Sequence, residues 1–136
     1  MLADAAQVAE GKLYILGGGW NIISVGAPSA IAIRVGVPAM TGVGHYRWKL
    51  VLNDEDGRAV TVPTAAQGFA PLELGGEFEI PHPPGVWAGP TLWQLMAINL
   101  GPLPLQEGQR YVWRLFVNDL TSEHWQLPFS VRGAAG

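Results

Sequence analysis

One pattern occurs twice in this chain, and it limits the possible folds more than any other feature. Residues 46–52 read Tyr46-Arg47-Trp48-Lys49-Leu50-Val51-Leu52, and residues 111–117 read Tyr111-Val112-Trp113-Arg114-Leu115-Phe116-Val117. Both are Tyr-x-Trp-x-Leu-x-aliphatic, so the large apolar side chains fall on one face of an extended strand at period two. An amphipathic helix would repeat its apolar residues at about 3.6 instead, so each segment reads as a half-buried β-strand. Each then runs into Asn-Asp (Asn53-Asp54 and Asn118-Asp119), residues that favour turns.

Short strands are expected through most of the remaining sequence. Lys12 to Leu16 is one candidate, entered through Glu10-Gly11 and left through Gly17-Gly18-Gly19, with a further apolar stretch from Trp20 to Val25. Residues 2–9 are Ala-rich and permit a helix, but are too few to secure one alone. Ile31, Ile33, Val35 and Val37 alternate with Ala32, Arg34 and Gly36 until Pro38 ends the strand. Asp56-Gly57 is a hairpin signal with Ala59 to Val62 as the return strand. From Pro63 to Thr91 only Glu77 to Ile80 has strand character, and Leu92 to Leu100, apolar on both faces, reads as a central strand. The last strand, 124–131, sets Trp125, Leu127, Phe129 and Val131 on one face. The expected class is all-β: a sandwich, immunoglobulin-like or C2-like, of about seven to nine strands. Residues 1–132 form one domain in this reading, and residues 133–136 a short flexible tail. Tyr111, just inside its strand after Leu105-Gln106-Glu107-Gly108, resembles the tyrosine corner of immunoglobulin-like domains, whose hydroxyl bonds the backbone a few residues upstream.

Composition narrows the function classes. A chain of 136 residues suits one domain and can bury roughly two-thirds of its unfolded surface. There is no cysteine, which removes disulfides and thiolate metal sites and favours the cytoplasm. The net charge of −3 gives no general pull toward nucleic acid or anionic lipid. No apolar run approaches the roughly 20 residues of a spanning helix, and Asp4 and Glu10 break up any signal-like segment, so no membrane partner is expected. Charged residues make up only 14%, against roughly 25% in an average soluble domain. A surface with so little charge suits one that is covered by a partner or by another copy.

Several short strings carry a resemblance over nearly the whole chain. They are Leu2-Ala3-Asp4, Gly11-Lys12-Leu13, Ile15-Leu16-Gly17-Gly18-Gly19-Trp20, Ala97-Ile98-Asn99-Leu100, Gly108 with Tyr111-Val112-Trp113, and Leu127-Pro128-Phe129-Ser130-Val131. The set resembles a family of small stand-alone bacterial β-sandwich proteins of unknown function. The resemblance implies a single domain and supplies no catalytic residue.

Motifs that could carry chemistry have structural readings. Gly17-Gly18-Gly19-Trp20 lacks the Lys-Ser/Thr pair of a phosphate loop and reads as a bend. Asn53 to Gly57 fails the register of an EF-hand and reads as a solvated turn, with weak calcium binding left open. His45, His82 and His124 have no metal-ligand spacing, and no serine sits in a nucleophile-elbow context. No catalytic residue, metal or cofactor is therefore expected, and the protein is read as a non-enzyme.

Two surfaces remain as binding candidates. The residues between the aromatics of the repeated pattern, Arg47, Lys49, Val112, Arg114 and Phe116, face outward, and Arg34 is expected to extend them from the preceding strand. Arg and aromatic residues are enriched in protein interfaces, so this face is the expected contact for a protein partner or a second copy. Trp87 lies in Pro83-Pro84-Gly85-Val86-Trp87-Ala88-Gly89-Pro90 and, with His82, is the alternative: a loop site for a carbohydrate or small ligand. A phage or particle structural subunit is the further alternative. The leading expectation is a cytoplasmic module that acts through protein–protein contact, homo-oligomerisation included.

Overall fold

A computed structural model describes residues 1–38, 44–66, 68–80 and 91–133. It is all-β, with no helix among the described residues. The strands are β1 (Leu2–Ala3), β2 (Ala5–Ala9), β3 (Lys12–Leu16), β4 (Ile22–Ser24), β5 (Ser29–Pro38), β6 (Gly44–Asp54), β7 (Thr61–Pro63), β8 (Phe69–Pro71), β9 (Glu73–Ile80), β10 (Thr91–Leu100), β11 (Arg110–Val117) and β12 (Gln126–Arg132). The count exceeds the expected seven to nine because β1, β4, β7 and β8 are only two or three residues long.

Two larger sheets enclose the main core. One has the order β1-β5-β10 and the other β4-β12-β11-β6-β9. The repeated pattern makes β11 and β6 antiparallel neighbours, pairing Trp113 with Leu52, Leu115 with Leu50 and Val117 with Trp48. Their inward side chains meet Ile31, Ile33, Val35 and Val37 of β5 in one apolar cluster. Trp113, 1% exposed, is its largest fully buried side chain. The ladder continues past Val117, because Asn118 donates its backbone N–H to Arg47 O (2.8 Å) and its Oδ1 accepts from Arg47 N–H (2.9 Å). Tyr111 makes the expected corner: its hydroxyl accepts from the Gln106 N–H at 3.0 Å.

Two expectations need correction, and the open reading of residues 2–9 resolves. Residues 2–9 form strands, and β2 and β3 make a hairpin through a two-residue turn with positive φ at Glu10 (53°) and Gly11 (70°). That left-handed geometry suits the twist of a two-residue hairpin, and Gly11 adopts it without strain. Residues 92–100 are an edge strand: β10 pairs along its whole length with β5 and, among the described residues, with no other strand. It reads as apolar on both sides because one side faces the core and the other lies partly beneath the hairpin. Trp125 precedes β12 and is exposed, leaving Phe129 and Val131 as that strand's fully buried residues.

The hairpin forms a second, smaller core. Ala3, Ala30 and Ala32 on the outer face of the three-stranded sheet pack with Ala6, Leu13 and Ala97. Only short side chains let the hairpin come this close. Asn99 fastens it, accepting from Ala6 N–H (3.1 Å) and donating its amide to Ala6 O (2.8 Å). One side chain thus satisfies both backbone groups of a buried residue that has no strand neighbour there.

Candidate functional site

The outer face of the five-stranded sheet gathers five of the six expected contact residues. Arg47 and Lys49 on β6 and Val112, Arg114 and Phe116 on β11 alternate with inward-facing core residues, which fixes their direction. Register sets Phe116 opposite Lys49 and Arg114 opposite Val51. The Lys49 ammonium lies 5.0 Å from the Phe116 ring centroid, a cation–π distance.

The electrostatics of this face differ from the sequence reading, which saw arginines mixed with apolar groups. β9 runs beside β6 and sets Glu73, Glu77 and Glu79 opposite Val51, Arg47 and His45. Lys49 Nζ lies 4.0 Å from Glu73, His45 Nε2 3.1 Å from Glu77, and Arg47 3.9 Å from Asp119. These pairs are exposed and contribute little to stability, but they balance the positive charge of the face. Between them lies a shallow recess of about 320 Å³ lined by Lys49, Glu73, Phe116 and Asp119, with Gly75 and Gly76 giving it no side chains. Gly76 is required on the inward side too, since a Cβ there would come 2.9 Å from the Trp48 indole nitrogen. The Arg114 Nε is buried without a hydrogen-bond partner.

Arg34 lies elsewhere. β5 belongs to the other sheet, and the Arg34 guanidinium stacks 3.9 Å above the Trp93 ring on that sheet's outer face. Trp93 is 51% exposed and lies across Gly36, where a Cβ would come 2.6 Å from the ring. His82 and Trp87 lie outside the described residues. The 53–57 turn uses its carboxylate internally: Asp54 Oδ1 accepts from the N–H groups of Asp56 (3.0 Å) and Arg58 (2.9 Å). Among the described residues no group of three or more His, Asp or Glu side chains is placed to hold a metal ion.

Sequence reasoning missed a different surface. Tyr14, Ile15 and Leu16 are consecutive on β3 and are 50%, 40% and 69% exposed. A strand sends consecutive side chains to opposite faces, so both faces of the hairpin present large apolar groups to solvent. Met1 joins them, because a Cβ on Gly18 would meet both Met1 and Ile15. The signal was present in Leu13-Tyr14-Ile15-Leu16, which has no polar alternation although its strand has only one partner.

A protein-family model matches residues 1–132, and the chain belongs to that family, a family of unknown function (DUF6941). No curated protein and no solved structure matches the chain.

Proposed function

Starting from membership in a family whose function is open, we propose that this domain acts by protein–protein contact, self-association included, and has no catalytic role. The supporting observation is the run Tyr14-Ile15-Leu16, exposed on both faces of a hairpin that is itself anchored to the sheet. Removing apolar surface from water is worth roughly 25 cal/mol per Å², so such a run gives a partner a large driving force. Exposed apolar patches rimmed by polar residues mark interaction sites more often than they mark isolated surface. The low charge content agrees with this reading. The paired charges on the five-stranded sheet then serve as a solvated flank that sets orientation and not as the anchor.

Two finer readings accompany the proposal. The architecture is an immunoglobulin-like or C2-like sandwich, supported by the core shared between the two larger sheets and by the Tyr111 corner. The protein works in the cytoplasm, in keeping with a chain free of cysteine. A photo-cross-linking residue at position 16, used in cells that make the protein, tests the contact reading. We expect a discrete adduct that a probe at the exposed Glu123 does not give. A probe at 16 that yields the same diffuse background as one at 123 would remove the hairpin as a contact surface.

A further inference from the structure

We infer that β10 is a self-pairing edge: two copies of this chain join antiparallel along Thr91–Leu100, merging their three-stranded sheets into one. The inference rests on the contact reading above and goes further by naming the partner and the strand.

An exposed sheet edge offers unpaired N–H and C=O groups to any extended chain, and proteins normally protect it with charge, proline, a bulge or brevity. β10 has none of these. Its ten residues contain no Asp, Glu, Lys, Arg or Pro, and all ten pair with β5 in unbroken register. The edge strands of the five-stranded sheet are different. β9 carries Glu73, Glu77 and Glu79 on its outward face, and β4 is three residues long. A groove of about 480 Å³ runs along the β10 edge, between Ala6, Gln7 and Val8 of β2 on one side and Trp48, Glu77 and Phe78 on the other. The edge is therefore accessible to an added strand.

Charge and parity favour a second copy over a generic peptide. An uncharged strand meets no like charge when it faces itself, whereas a charged strand would. Even-numbered residues of β10 face the core beside Ile31, Ile33, Val35 and Val37, and odd-numbered residues face outward. Antiparallel self-pairing about a two-fold through Leu95 sets even against even and odd against odd, so the core-facing and outward-facing sides of one copy each continue into the same side of the other. It also sets Trp93 opposite the partner's Ala97, large against small. A two-fold interface of this kind closes on itself and does not propagate into a fibre.

Sedimentation velocity from micromolar to millimolar protein tests the proposal. Wild type should dimerise. Leu95→Lys and Leu95→Glu should each weaken the dimer by about tenfold or more, since like charges would meet at the axis. An equimolar mixture of the two variants should recover it. Because the chain has no native cysteine, Leu95→Cys gives a second arm that keeps a neutral side chain. Mild oxidation should trap it as a disulfide dimer, whereas Val112→Cys should dimerise like wild type but form no disulfide. Monomeric wild type throughout the range, or a dimer untouched by Leu95→Lys, would overturn the edge pairing. A dimer that survives Leu95→Lys but is lost in Leu16→Asp would overturn the edge while leaving the hairpin contact standing.

Discussion

On the outer face of the five-stranded sheet, Lys49 rests against Phe116 and reaches Glu73, and Arg47 reaches Asp119. On the outer face of the three-stranded sheet, Ala3, Ala30 and Ala32 lie sealed beneath the β2–β3 hairpin. Both faces begin from the same alternation, in which inward residues fill one core. They differ in what stands between the core residues. Long charged side chains on neighbouring strands neutralise one another and keep a face wet. Alanines leave room for another layer, and that layer brings its own apolar residues to the surface. The face that looked functional in sequence is thus internally balanced, and the bland alanine face supports the exposed hairpin.

One substitution type, a larger apolar residue, should separate the two faces most sharply. Ala30→Leu, at a fully buried position, should overpack the contact with the hairpin and destabilise the protein by about 1–3 kcal/mol. Val112→Leu, on the half-exposed face, should stay within about 0.5 kcal/mol of wild type. Urea denaturation of both variants compares them directly, and equal losses would break the contrast. Next in size is Asn99→Ala. It removes two hydrogen bonds from Ala6 and should cost about 1–2 kcal/mol, with faster hydrogen exchange at the Ala6 amide than elsewhere in β2. An unchanged Ala6 amide would mean that packing alone holds the hairpin. The smallest effect belongs to the charged face. A double-mutant cycle on Lys49→Ala and Glu73→Ala should give a coupling of about 1 kcal/mol or less that fades in high salt. A large, salt-resistant coupling would show that the face is a structured site and not a solvated flank.

The sequence was most legible where period two combined with bulk. The Tyr-x-Trp-x-Leu repeats gave two strands, their inward faces and, through Leu105 to Tyr111, the corner hydrogen bond. Legibility failed where burial came from small residues. Ala5-Ala6 permits helix by propensity, and only the packing of the hairpin over Ala30 and Ala32 makes it a strand. Ala30-Ile31-Ala32-Ile33 does carry a signal of its own: small and large apolar residues in alternation fit a strand covered on both sides, thinly on one. β10 was misplaced for a related reason. A strand apolar on both faces reads as central, yet facial apolarity says nothing about whether both edges are hydrogen-bonded. The pairing of Arg47 and Lys49 with acidic partners depended on strand order, which no local pattern specifies. Arg34 could not be assigned to either sheet for the same reason.

The central claim is that contact runs through the alanine-faced, three-stranded side of the molecule, with β10 as the self-pairing edge. Hydrogen exchange measured on dilute and on concentrated protein tests it most directly. Backbone amides within 91–100 should gain protection as concentration rises, while those of 45–53 and 110–117, already bonded within their sheet, should not change. Exchange in 91–100 that stays the same from micromolar to millimolar protein would contradict the account.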